Sequence, residues 1–122
     1  MTSDALLHTW ALAFAATQLI EVPIWVVTAR AGRAEPGVVR LAAAAAVCTA
    51  VTHPLLWFAW PRIVGVYSAY LVSGEVLVVA VETVLFRLLA RSVPWSRCLA
   101  AGLLANGASL AAGLFVRALV GG

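Results

Sequence analysis

The sequence predicts an all-α integral membrane protein in which four transmembrane helices form an antiparallel bundle with both termini outside. Two observations predict this class. The 122 residues are 64% hydrophobic and only 11% charged, and the few charges leave four long apolar segments between them. A soluble domain carries charge on about a quarter of its residues, whereas a helix that crosses a bilayer needs about 20 apolar residues. We expect residues 1–122 to form a single transmembrane domain.

The four apolar segments place the expected spans near residues 5–29, 38–60, 64–89 and 95–118. Loop signals separate them: AGRAEPG at 31–37, Pro61 with Arg62, and RSVPW at 91–95. The first segment lacks a basic leader and is longer than the apolar region of a signal peptide, so we expect it to be a helix of the mature protein. Pro23 and Pro54 lie inside spans, where each removes a backbone N–H and favours a kink.

The arginines indicate an orientation, because all eight basic residues of the chain are arginine. Six of them flank the first and third loops: Arg30, Arg33, Arg40, Arg87, Arg91 and Arg97. Only Arg62 and Arg117 lie on the other side. Basic residues concentrate in cytoplasmic loops, so we expect the first and third loops to face the cytoplasm. The expected location is the inner membrane of a bacterium. Trp25 and Trp95 are expected at the cytoplasmic interface. No soluble basic face remains for nucleic acid.

Three glutamates lie within the apolar spans, namely Glu21 in the first and Glu75 and Glu82 in the third. A carboxylate at the centre of a membrane helix costs about 2.5–3.5 kcal/mol on insertion scales. We therefore expect all three to face the interior of the bundle. Glu75 and Glu82 are seven residues apart, nearly two helical turns, so they share one face.

The depths of the polar residues predict two layers. Glu21 and Glu82 are expected at a similar level toward the cytoplasm, where Asn106 of the fourth span reaches them. His53 of the second span and Glu75 are expected together nearer the outside, and Thr49 and Thr52 border the histidine. Ser109 follows Asn106 by about one turn and is a further supporting polar residue.

Three interpretations fit this arrangement. Glu21, His53, Glu75 and Glu82 could bind a divalent metal or another cation, since bundles project carboxylates and histidines inward for metals. The same groups could relay protons for transport. In the third interpretation they hold the helices together in a structural or assembly subunit. A membrane enzyme that uses Glu and His as acid and base on a lipid-like substrate is a further alternative, but the usual catalytic motifs are absent from the sequence.

Small residues predict close packing of the fourth span. Ala105, Ser109 and Gly113 recur every four residues, a pattern that lets another helix backbone approach closely. Besides the lipid bilayer, the expected partner is therefore a second copy of the chain or another subunit of a membrane complex.

Overall fold

Helices account for most of the chain. The computed structural model describes residues 2–121, and within that range the chain forms helices and connecting loops but no β-strand. In chain order the elements are α1 (Ser3–Arg30), α2 (Val38–Pro54), a π-helical segment (Leu55–Ala59), α3 (Trp60–Ile63), α4 (Tyr67–Leu89) and α5 (Trp95–Gly121).

Four stretches of helix are long and apolar enough to cross a membrane: α1, the run Val38–Ile63 through α3, α4, and α5. The prediction of an all-α chain with four helices of this length and composition is confirmed. Their bounds differ a little from those read from the sequence. Helix α4 begins at Tyr67 rather than at residue 64, because residues 64–66 form the link that follows α3.

The two prolines inside spans have different surroundings. Helix α1 continues through Pro23 as one element, whereas α2 ends at Pro54 and the chain goes on as the π-helical segment. Pro54 has no N–H to donate, and a wider turn after it keeps the chain helical. Tyr70 of α4 supports this segment, because its hydroxyl donates a 2.9 Å hydrogen bond to the Leu56 carbonyl.

The long helices enclose a common interior, because α1 and α4 each pack against both α2 and α5. At the centre of the core, the Trp25 and Phe86 rings stack with centroids 4.3 Å apart. Trp25 is fully buried, so its ring packs against other helices, and its expected depth near the cytoplasmic interface stays a prediction. Gly102 lies against this ring, and a Cβ there would be in ordinary van der Waals contact with Trp25 at 3.5 Å but closer, at 3.2 Å, to the Thr83 hydroxyl.

The outer surface of the helices is apolar. Large aliphatic side chains lie exposed along it, for example Leu19 (79%), Val27 (71%) and Val76 (66%). Polar side chains such as Glu21, Glu82 and Asn106 are buried instead. Polar residues inside and apolar residues outside are the reverse of the arrangement in a soluble protein. An apolar exterior of this kind is suited to lipid.

Candidate functional site

Glu21 is buried in the interior, at 2% exposure, on the inward face of α1. Its two carboxylate oxygens have different partners. Oε2 lies 3.1 Å from the Thr49 hydroxyl of α2, and Oε1 accepts a 2.7 Å hydrogen bond from the Ser109 hydroxyl of α5. Glu21 therefore connects α1 to both of the helices that flank it.

Glu82 occupies the matching position on α4 and is completely buried. Its Oε2 lies 2.5 Å from the Thr52 hydroxyl of α2, and its Oε1 accepts a 2.8 Å hydrogen bond from Nδ2 of Asn106 on α5. The same amide also donates to the Gly102 carbonyl at 2.9 Å, which fixes its orientation.

The two glutamates therefore use one arrangement twice. Each carboxylate is held by one side chain from α2 and one from α5. The two donors on α2 are three residues apart in sequence, and so are the two on α5. Residues at this spacing lie on one helix face about one turn apart. As a result, the four long helices meet at these two side chains.

Three of the four donors are hydroxyls with a second acceptor in reach, the carbonyl of a residue earlier in their own helix. The second distances are 3.3 Å from Thr49 to Ala45, 3.1 Å from Thr52 to Cys48, and 3.1 Å from Ser109 to Asn106. A hydroxyl has one hydrogen to donate but can also accept. It can donate to a charged carboxylate, or turn its hydrogen to the carbonyl and accept from a protonated one. The site therefore satisfies both protonation states of each glutamate.

No arginine or histidine contacts either carboxylate within residues 2–121; all four oxygens meet neutral donors. Moving an unpaired carboxylate into a medium of low dielectric constant costs many kcal/mol, and such a group neutralises itself instead. Glu21 and Glu82 together would place two like charges in one interior. A proton or a small cation is therefore required to reduce this charge.

A cavity of about 250 Å³ reaches both glutamates. All the side chains that the sequence singled out as a polar site line it: Glu21, Thr49, Thr52, His53, Glu75, Glu82, Asn106 and Ser109. Tyr67 and Arg117 line the same cavity from the first turn of α4 and the last turns of α5. The cavity therefore extends from the buried carboxylates toward one end of the helices.

His53 lies away from the carboxylates in a ring of aromatic side chains. Its ring centroid is 5.4 Å from that of Phe14, 5.9 Å from Trp57 and 6.0 Å from Trp10. Nε2 lies 3.4 Å from the Thr17 hydroxyl, while Nδ1 is buried without a partner among the described residues. Thr49 and Thr52 line the same cavity as His53, but their hydroxyls bond to the glutamates and not to the imidazole. The hydroxyl within reach of the imidazole is that of Thr17.

Glu75 is half-buried on the cavity wall and makes no hydrogen bond within residues 2–121. It lies in the same cavity as His53, but no hydrogen bond joins the two. At the end of the cavity, the Arg117 guanidinium stacks over the Tyr67 ring at 4.6 Å and donates to its hydroxyl. Sequence reasoning missed this pair and Thr17. Thr17 could have been found, since it precedes Glu21 by one helical turn on the same face.

The described residues contain no group of three His, Cys, Asp or Glu side chains placed to hold a metal ion. The carboxylate oxygens of Glu21 and Glu82 already accept hydrogen bonds, and His53 lies among aromatic rings. The donor set of a divalent metal site is therefore not assembled around these glutamates.

The small residues of α5 face inward to different degrees. Ala105 is fully buried, Ser109 is half-buried with its hydroxyl on Glu21, and Gly113 lies on the cavity wall. This face therefore packs against and lines the interior of the chain itself.

These features define a class: an all-helical protein with four helices of membrane-spanning length and a pair of buried, hydrogen-bonded carboxylates at the base of a cavity. A scan against protein-family models, a search of the curated proteins and a search of the solved structures each found no match. The function must therefore be argued from the site.

Proposed function

We propose that this chain is a transmembrane four-helix bundle whose Glu21 and Glu82 bind and release protons in the service of transport. In this proposal the helices are antiparallel, both termini lie outside a bacterial inner membrane, and the loops that follow α1 and α4 face the cytoplasm. The arginine distribution supports that orientation, because six of the eight arginines flank these two loops.

The observation that carries the proposal is the pair of buried carboxylates that meet no basic side chain within residues 2–121. A structural hydrogen bond between membrane helices needs only a neutral polar group such as Asn or Thr. Ionisable residues inside a membrane are costly, and they are typical of ion pathways and proton relays. The hydroxyls of Thr49, Thr52 and Ser109 support proton binding in particular, since each can donate to a carboxylate or accept from a carboxylic acid.

The cavity supports access to the site. It connects the two carboxylates with the end of the helices where Tyr67 and Arg117 lie, so water or a small solute has a route to Glu21 and Glu82. Glu75 and His53 lie along this route, and each has polar atoms with no hydrogen-bond partner in the described part of the chain. We propose that they bind water and pass protons between the cavity entrance and the paired glutamates.

The test replaces each glutamate of the pair with glutamine. In Glu82→Gln, the amide oxygen can accept from Asn106 and the amide NH₂ can donate to Thr52, whose hydrogen turns to the Cys48 carbonyl. The variant keeps both hydrogen bonds but cannot titrate. Glu21→Gln tests the other carboxylate in the same way. Asp4→Asn in the first turn of α1 is the control, because it removes one exposed carboxylate outside the cavity.

Infrared difference spectroscopy across a pH titration reads the carboxyl groups directly, and proton entry into dye-loaded proteoliposomes reads transport. We expect a titrating carboxyl band and proton entry in the wild type and in Asp4→Asn. Both signals should be reduced or lost in Glu21→Gln and Glu82→Gln, with folding retained. A wild type whose buried carboxyls never titrate, and which admits no protons, would contradict the proposal.

A second candidate function follows from the same hydrogen bonds. Each glutamate ties its own helix to α2 and to α5, which favours a structural or assembly subunit that pairs with a second copy or with another membrane protein. On this hypothesis the glutamine variants would keep every function of the wild type. Size measurement in lipid nanodiscs tests the assembly: a chain that remains monomeric at every concentration removes the support for a homo-oligomer.

A further inference from the structure

A polar pocket of about 280 Å³ lies at the end of the molecule opposite Tyr67 and Arg117. Its walls come from the loop after α1, the start of α2 and the loop after α4; the lining residues are Glu35, Pro36, Arg40, Ala90, Arg91 and Ser92. None of these residues lines the cavity that holds the glutamate pair. The pocket is therefore a separate feature of the molecule.

Two arginines fix the loops that form this pocket. Arg33 donates to the Ser92 carbonyl, and Arg97 donates to the Ala31 carbonyl. Each bond joins the loop after α1 to the segment that runs from the end of α4 into the start of α5. One donor comes from each side, Arg33 from the first loop and Arg97 from α5. Pro36 and Ala90 are buried beneath the pocket. The pocket walls are therefore held in place by the protein.

The remaining arginines of this end differ in what they contact. Arg87 stacks over the Trp95 ring at 5.4 Å. Arg40 and Arg91 are both exposed, both line the pocket, and make no hydrogen bond to protein within residues 2–121. Orientation in a membrane requires basic residues at this end, but it does not require two of them to share one pocket with free guanidinium groups.

Apolar surface adjoins the two free arginines. Val39, next to Arg40, is 84% exposed, and Leu88, one turn before Arg91, is 53% exposed. Neither side chain lines the pocket; both belong to the apolar outer surface of α2 and α4, which would meet the acyl chains of lipid in the proposed membrane location. This pairing of an anion site with an adjoining apolar surface matches a phospholipid, whose phosphate and acyl chains are joined in one molecule.

We infer that Arg40 and Arg91 bind the phosphate of an anionic phospholipid headgroup in this pocket. The guanidinium group forms paired hydrogen bonds with phosphate oxygens, and basic pockets between helices on the cytoplasmic side of a membrane bind anionic headgroups. The inference rests on the proposed membrane location and orientation, but not on proton binding by the glutamates. Glu35 lines the same pocket, and its negative charge would repel a bound phosphate. Removing that charge should therefore strengthen binding, whereas removing an arginine should weaken it.

Native mass spectrometry of the detergent-solubilised protein tests the site, with phosphatidylglycerol and phosphatidylcholine titrated separately. We expect preferential retention of phosphatidylglycerol, with affinity reduced by about fivefold in Arg40→Gln and in Arg91→Gln. Arg30→Gln is the matched control. It removes one exposed arginine from the same end, but Arg30 does not line the pocket. A general attraction between charged surfaces would instead weaken binding equally in all three variants, and that outcome would overturn the inference.

Glu35→Gln is expected to tighten phosphatidylglycerol binding several-fold, and this gain cannot arise from misfolding. Asp4→Asn, at the other end of α1, should leave the affinity unchanged. Inorganic phosphate and glycerol phosphate serve as soluble competitors. If they bind as tightly as the phospholipid, the ligand is a free phosphate and the lipid assignment is wrong. Carbonate extraction shows whether the protein is integral to the membrane, which separates the headgroup site from the proposed membrane location. A protein that resists extraction but shows no preference for phosphatidylglycerol contradicts only the headgroup site.

Discussion

The hydroxyl oxygen of Thr52 lies 2.5 Å from Oε2 of Glu82, and the same hydroxyl lies 3.1 Å from the carbonyl of Cys48 in its own helix. This contact joins α2 to α4 in the interior, where Glu82 has no exposed surface. The short distance is typical of a hydrogen bond between a hydroxyl and a carboxyl group. Thr52 therefore ties α2 to Glu82 of α4 through a buried hydrogen bond.

Thr52→Val keeps the shape of the side chain but removes its hydroxyl, and it leaves Oε2 of Glu82 with no partner among the described residues. We expect a loss of about 1–2 kcal/mol in the free energy of unfolding, measured by SDS titration in mixed micelles. Thr9→Val is the control, because the Thr9 hydroxyl bonds only to the Ala5 carbonyl on the exposed face of α1. Equal stability of the two variants would contradict a buried hydrogen bond at Thr52.

Phe86→Ala should remove the ring on which Trp25 stacks and leave a void at the centre of the core. Large-to-small substitutions at such positions cost about 3–5 kcal/mol. The matched substitution Phe115→Ala removes a ring that is 65% exposed, and we expect a change within about 0.5 kcal/mol. The same titration compares the two. A Phe86→Ala variant as stable as Phe115→Ala would mean that the ring pair contributes little to packing.

Tyr70→Phe should loosen the π-helical segment, because it removes the donor to the Leu56 carbonyl. We expect a loss of about 1 kcal/mol in the free energy of unfolding. Hydrogen exchange monitored by mass spectrometry should show faster exchange confined to residues 55–63. Faster exchange spread over α1 and α5 as well would indicate that this hydroxyl stabilises the whole interior instead.

Single cysteines test the proposed orientation. Thr2→Cys and Ala34→Cys place thiols at exposed positions on opposite ends of α1, whereas the native Cys48 and Cys98 are fully buried. In intact cells an impermeant maleimide should label position 2 but not position 34, which becomes reactive only after the membrane is permeabilised. Wild-type protein controls for the native thiols. Labelling of both positions from the same side would contradict the antiparallel topology with outside termini.

Much of the helical organisation could be predicted from the sequence. The lengths of the apolar segments and the charges between them depend only on order along the chain, and they predicted four membrane-length helices near their observed bounds. The cost of a carboxylate in an apolar helix likewise indicated that Glu21 and Glu82 would face the interior, where the structure buries both. The asymmetry of the arginines also predicted an orientation, which the labelling experiment above tests.

Only the tertiary structure decided which polar groups meet. Each helix is apolar on nearly all sides, so no hydrophobic face fixes its rotation, and a step of one residue turns a side chain by about 100°. Thr49 and Thr52 line the same cavity as His53, but their hydroxyls bond to the carboxyl groups of Glu21 and Glu82 on α1 and α4. The histidine meets Thr17 instead. Trp25 stacks on Phe86 in the core, with Gly102 of α5 against its ring. These pairings depend on the rotation and relative height of neighbouring helices, which packing sets and the order of residues alone does not.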